Sequence, residues 1–162
     1  MSAFVLAGID PAPFAALFDL DASALAARNV VRRVADSAVG FPCRVSLEDA
    51  AVGEELLLLP FEHHATDSPY RASGPIYVRR GLSRAQLPPG VVPEYVTRRL
   101  ISLRVYDRTR MMVGAEVVEG AEVAARLEVL FADACVEYVQ LHNARPGCFS
   151  CEARRTAAVA VP

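Results

Sequence analysis

The chain has 162 residues, 53% of them hydrophobic and 22% charged, which matches a soluble globular protein of one domain and argues against a disordered or fibrous chain. Its 17 basic and 19 acidic residues leave a formal charge of -2 spread along the length, so neither nucleic acid nor an anionic membrane is an expected partner. Every basic residue is arginine, which excludes Schiff-base chemistry and any phosphate loop that needs a lysine amine.

The amino terminus MSAFVLAGID lacks the basic flank of a signal peptide, and no stretch approaches the roughly 18 apolar residues of a transmembrane helix, so a cytoplasmic protein is expected. In that compartment Cys43, Cys135, Cys148 and Cys151 read as thiols rather than bridges. Residues 4–9 suit an edge strand. Asp10 and Pro11 then mark a helix start, with Phe14, Leu17 and Phe18 on one face. A second short helix covers about residues 21–28 and stops at Asn29, after which residues 30–35 return to a β-rich pattern.

Gly40-Phe41-Pro42 breaks the chain, and residues 44–47 and 55–61 read as two strands joined across EDAAVGE. The four leucines at 56–59 show no alternation, which predicts a central strand covered on both faces. HHATDSPYRASG is a polar loop, residues 75–80 form the next strand, and LPPGVVPEY is a Pro-rich connection too short to separate domains. From Tyr95 the period is two: Ile101, Leu103 and Val105 face one way, the DRT turn follows, and residues 110–118 return as the second arm of a hairpin. Val123, Leu127, Leu130 and Phe131 predict an amphipathic helix over residues 121–134. Residues 135–141 and 148–155 form strands on either side of the five-residue turn NARPG, and the tail AAVAVP is expected to fray. The expected fold class is α+β: an antiparallel sheet packed against that helix, with short helices near the amino terminus.

The blocks FPCRVSLEDAAVGEELLLLPFEH, SPYRASGPIYVR, RVYDRTRMMVGAEVVEG and HNARPGCF, in this order, resemble a bacterial family known as domain of unknown function 1203. The resemblance implies a small cytoplasmic single-domain protein and carries no activity. It puts weight on Pro42, Cys43 and Arg44, on residues 68–71 and on residues 142–148, while Cys151 lies beyond the last block.

Four groups of residues bear on function. Cys148 and Cys151 have CxxC spacing, but three strand steps span roughly 10 Å, too far for a disulfide, and no second CxxC supplies the other zinc ligands. His142 and Cys148 flank NARPG symmetrically, so an unbulged hairpin would set them opposite each other as a catalytic cysteine and its base. His63 and His64 are adjacent and point to opposite faces, which argues against a shared metal site; no metal or cofactor is indicated. Tyr70 and Arg71 in one loop, with Asn143 and Arg145 in the other, suit a small carboxylate or phosphate, although turn chemistry alone also selects such residues. The expectation is a small binding module for an anionic ligand, built where these two loops converge. The alternatives are a cysteine-dependent enzyme using Cys148 and His142, and a homo-oligomer paired through exposed strand edges.

Overall fold

The computed structural model describes residues 1–156, and its strands form two five-stranded sheets where one was expected. The fold is α+β. The tail AAVAVP lies outside the described residues. The leucine run organises the first sheet: β5 (Glu55–His64) lies between β2 (Val31–Val34) and β6 (Ala72–Arg79), followed by the two-residue strands β3 (Pro42–Cys43) and β4 (Glu48–Asp49). Leu57 and Leu59 enter a core with Phe14, Phe18, Ile76 and Val78, and Leu56 packs in a smaller cluster with Ala35 and Ala50 on the other side. Only Leu58 is incompletely covered, at the edge of a cavity. Residues 44–47, expected as a strand, instead form a tight turn in which Leu47 N donates to Cys43 O and Leu47 takes a left-handed φ of 55°.

The second sheet, in the order β1-β10-β9-β7-β8, joins the two ends of the chain. It consists of β1 (Phe4–Ala7), β10 (Phe149–Arg155), β9 (Tyr138–Asn143), β7 (Leu100–Tyr106) and β8 (Met112–Glu119), with the expected hairpin formed by β7 and β8. Ile101, Leu103 and Val105 are buried, as their alternation requires. The helix α3 (Val123–Ala132) lays Val123, Leu127 and Phe131 on the same core. Its N-terminus has no side-chain cap. A missing cap costs about 1 kcal/mol, whereas each of those side chains contributes roughly 2 kcal/mol when buried, so packing decides that the helix forms.

Near the amino terminus, Ala12–Asp19 winds as a 3-10 helix, with Asp10 Oδ1 accepting from Ala12 N at 2.9 Å. Asp21 caps α1 (Ala22–Ala26) through Ala24 N, and Asn29 ends that segment at φ 57°. A further short helix, α2 (Glu94–Thr97), delivers Arg98 and Arg99 to the start of β7. No helix among the described residues is long and apolar enough to cross a membrane.

Candidate functional site

The β9–β10 turn and the β3 end of the other sheet enclose a cavity of about 540 Å³, within the range of small-molecule sites. Leu58, Pro75, Tyr77 and Leu100 give it an apolar wall, and Arg44, Arg98, Arg99 and Arg145 give it four guanidinium groups against one carboxylate, Glu119. The arginines are not equivalent. Arg99 is neutralised by Asp49 at 2.5 Å, and Arg98 by Asp49 at 3.5 Å and by Glu94.

Arg44 differs. It is 1% exposed, yet its guanidinium forms no ion pair among the described residues. Nε donates to Phe149 O at 2.7 Å, Nη1 to Pro42 O at 2.5 Å and Nη2 to Cys148 Sγ at 3.1 Å. The turn after β3 produces this burial: in an extended strand Arg44 would face away from Cys43 and Val45, and the turn brings all three inward. Two carbonyls and a sulfur orient the guanidinium, no carboxylate among the described residues pairs with it, and a buried cation without a counter-ion is costly. Beside it, Asn143 is 5% exposed and its Oδ1 has no hydrogen-bond partner among the described residues. Arg145, at the exposed tip of the turn, makes no ion pair or side-chain hydrogen bond among the described residues.

The expected pairing of Cys148 with His142 does not form. His142 is in register with Phe149, and Asn143 N donates to Cys148 O at 2.9 Å, so Cys148 lies opposite Asn143. Gly147, at φ 80°, takes the left-handed position that lets four residues rather than five close the turn, and a one-residue slip moves a side chain to the other face of the sheet. Cys148 therefore joins the arginine cavity. His142 is fully buried, 4.9 Å from the His63 ring, with Nδ1 3.2 Å from Gly147 O.

Burial, aided by the Arg104 charge, lowers the His142 pKa from 6.5 to about 3. The unfolded chain takes up a proton near pH 6.5 that the folded chain refuses until about pH 3. Stability tied to His142 is therefore complete above pH 6.5 and is lost as pH falls toward 3, at roughly 1 kcal/mol per pH unit. Urea unfolding across that window is expected to show this slope, and His142→Asn to flatten it.

Tyr70 and Arg71 are not at this cavity. Tyr70 packs on Tyr106 with ring centroids 6.2 Å apart and its carbonyl accepts from His64 Nδ1 at 2.7 Å, while Arg71 pairs with Glu62 at 2.8 Å on the surface. Ala144 N donates to Leu100 O at the opposite end of β7. Six strand steps, roughly 20 Å, separate the two loops, so the expected convergence is replaced by two separate ends of one strand. Asn143, Arg145 and Cys148 remain together, and Arg44, Arg98, Arg99 and Tyr77 join them. The available signal for Arg44 was a lone charge set among Cys43, Val45 and Leu47, three residues that are all buried.

The two CxxC thiols are free and face different surroundings: Cys148 lines the cavity, and Cys151 sits in the core, its pKa pushed up to about 12 by burial. Among the described residues no three His, Cys, Asp or Glu side chains are grouped to hold a metal ion. A family model described as "Protein of unknown function (DUF1203)" matches residues 40–155, more than two-thirds of the chain and all of the cavity's lining. No curated protein and no solved structure matches the chain. The chain belongs to the DUF1203 family.

Proposed function

We propose that this DUF1203 protein is a cytoplasmic binding module that takes a small anion in the cavity between its two sheets. One observation carries the reading: Arg44, buried in the cavity wall, is held by two carbonyls and a sulfur and has no carboxylate among the described residues to balance it. A ligand carboxylate or phosphate would supply the missing charge, with Arg145 closing over it from the rim. Asn143 Oδ1 asks for a donor, which favours an acid that also carries a hydroxyl; monohydrogen phosphate has both features. Four free thiols support the compartment.

The test is a melting-temperature titration of untagged protein with phosphate, lactate and acetate against chloride at matched ionic strength. A hundredfold excess over Kd adds about 2.7 kcal/mol, which for a chain of this size is a rise of roughly 5–10 °C. Equal midpoints in all four salts would overturn the proposal. Arg145→Ala, an exposed change, is expected to weaken the response while leaving the midpoint without anion within about 2 °C.

A second reading, homo-oligomerisation, is favoured by β8. This eight-residue strand is an outer strand of its sheet and exposes Val113 at 54% and Val117 at 59%. A two-fold pairing centred on Ala115 sets Val113 of each copy opposite Val117 of the other and Glu116 opposite Gly114, which avoids like-charge contacts. Sedimentation velocity is expected to show a dimer that Val117→Lys splits; a wild-type monomer at high micromolar concentration removes this reading.

A further inference from the structure

A second cavity, of about 450 Å³, lies between the amino-terminal segment and the face of β5 that meets β10. Phe14, Phe61 and Phe149 form its apolar wall, and His63 and Glu152 sit where it adjoins a polar hollow of about 390 Å³. Its charges need no ligand. Arg154 pairs with Glu152 at 2.6 Å, and Asp10 and Arg84 are exposed to solvent, Asp10 Oδ1 accepting from Ala12 N and Arg84 donating to Gly8 O at 2.6 Å. In contrast to the arginine cavity, nothing here calls for an anion.

What remains unanswered is one nitrogen. Gln140, fully buried, donates through Nε2 to His63 O at 2.7 Å and to Glu152 Oε2 at 3.2 Å. The His63 carbonyl can only accept, so the amide orientation is fixed and Gln140 Oε1 is left as an acceptor. His63 Nδ1 lies 3.1 Å from that oxygen and must carry the hydrogen. Burial lowers the His63 pKa below 6.5, so the ring is neutral at pH 7 and Nε2 holds a lone pair. The ring is clamped parallel to Phe149, at 5° and 5.4 Å between centroids. Among the described residues Nε2 has no hydrogen-bond partner, and it is not one of the enclosed unpartnered atoms, Arg79 Nε and Asn143 Oδ1, so it keeps some accessible surface on a ring that lines both the cavity and the adjoining hollow.

We infer that this cavity is a second ligand site, separate from the arginine cavity, for a neutral hydroxylated aromatic molecule whose O–H donates to His63 Nε2 and whose ring lies among Phe14, Phe61 and Phe149. Three phenylalanine rings favour a flat apolar body. A single oriented acceptor rejects an analogue that lacks the donor, because a polar group would then be desolvated without a partner. Gln140 acts as a positioning residue: it fixes the tautomer and does not touch the ligand.

The experiment uses the full chain labelled with ¹⁵N in histidine, titrated with phenol and with toluene while two-bond proton–nitrogen spectra are recorded. Expected are a hydrogen on His63 Nδ1, a phenol-dependent shift of Nε2, and toluene binding at least about tenfold weaker than phenol. His63→Phe keeps the ring stack and is expected to bring phenol down to the affinity of toluene. Arg145→Ala is expected to leave phenol binding unchanged, so failure of the anion site and failure of this one are read separately. A hydrogen on Nε2, equal affinities for phenol and toluene, or undiminished phenol binding by His63→Phe would each overturn the inference. Should His63→Phe not fold, the tautomer and the phenol-to-toluene ratio of the wild-type chain decide it alone.

Discussion

Arg44→Met is expected to abolish the phosphate-dependent rise in melting temperature and to lower stability in the absence of anion by about 2 kcal/mol. Methionine keeps most of the volume and removes the charge. The cost arises because Phe149 O and Pro42 O lose the donors that reach them at 2.7 and 2.5 Å, and an unanswered buried carbonyl costs about 1–3 kcal/mol. Relief of the buried charge offsets part of this, which is why the net figure is nearer 2 than 5 kcal/mol. Arg44→Lys separates charge from geometry. One ammonium keeps the cation but cannot reach acceptors lying in three directions from a planar fork, so an anion response about tenfold weaker is expected. Calorimetric titration with phosphate well below each variant's melting temperature reads affinity independently of stability. Wild-type affinity in Arg44→Met would remove the basis for an anion site.

The parts of the fold legible in sequence are those written in short-range periodicity. Ile101, Leu103 and Val105 alternate and form the β7 face of a core; Val123, Leu127 and Phe131 repeat at helical spacing and form the helix face that covers it; Asp21 and Asn29 bound α1 with a cap and a left-handed residue. The division into two sheets had no such signal. It depends on Phe4 pairing with Arg155, from opposite ends of the chain, and on two-residue strands at Pro42–Cys43 and Glu48–Asp49 that are too short to show a period.

The site divides in the same way. Asn143 and Arg145 are close in sequence and line one cavity, which Cys148, expected opposite His142, also enters; Tyr70 and Arg71 were joined to Asn143 and Arg145 by polarity alone, and the length of β7 keeps them apart. The facing of Cys148 turned on whether Asn143 belongs to the turn or to the strand, a difference of one residue that decides the face. Arg44 drew weight from the resemblance but stayed outside the candidate site, because the segment around it reads as a strand, in which an arginine between Cys43 and Val45 points to solvent. Only the turn, braced from outside by other segments, makes it a buried group.

That bracing leads to a second large expected effect, at Gly8. The chain leaving β1 lies directly on the Arg44–Val45 turn: Ile9 N donates to Arg44 O at 3.0 Å, Gly8 N donates to Ala85 O at 2.9 Å, and Ala85 N donates to Val45 O at 2.8 Å. A Cβ on residue 8 would stand 1.9 Å from Val45 O and 3.0 Å from Arg44 O. Those are backbone atoms, so no side chain can swing aside to make room; the two segments must separate and their hydrogen bonds must lengthen together. Gly8→Ala is therefore expected to cost about 3 kcal/mol or more, at the upper end for overpacking. Gly74→Ala is the control, because its Cβ would meet nothing within 4 Å, and it should change stability by less than about 0.5 kcal/mol. Urea unfolding measures both. If the turn is what holds Arg44 in place, Gly8→Ala must also blunt the phosphate response while Gly74→Ala retains it, and a destabilised Gly8→Ala protein with unchanged phosphate affinity would show that the contacts of Arg44 to Pro42, Cys148 and Phe149 position it without that bracing.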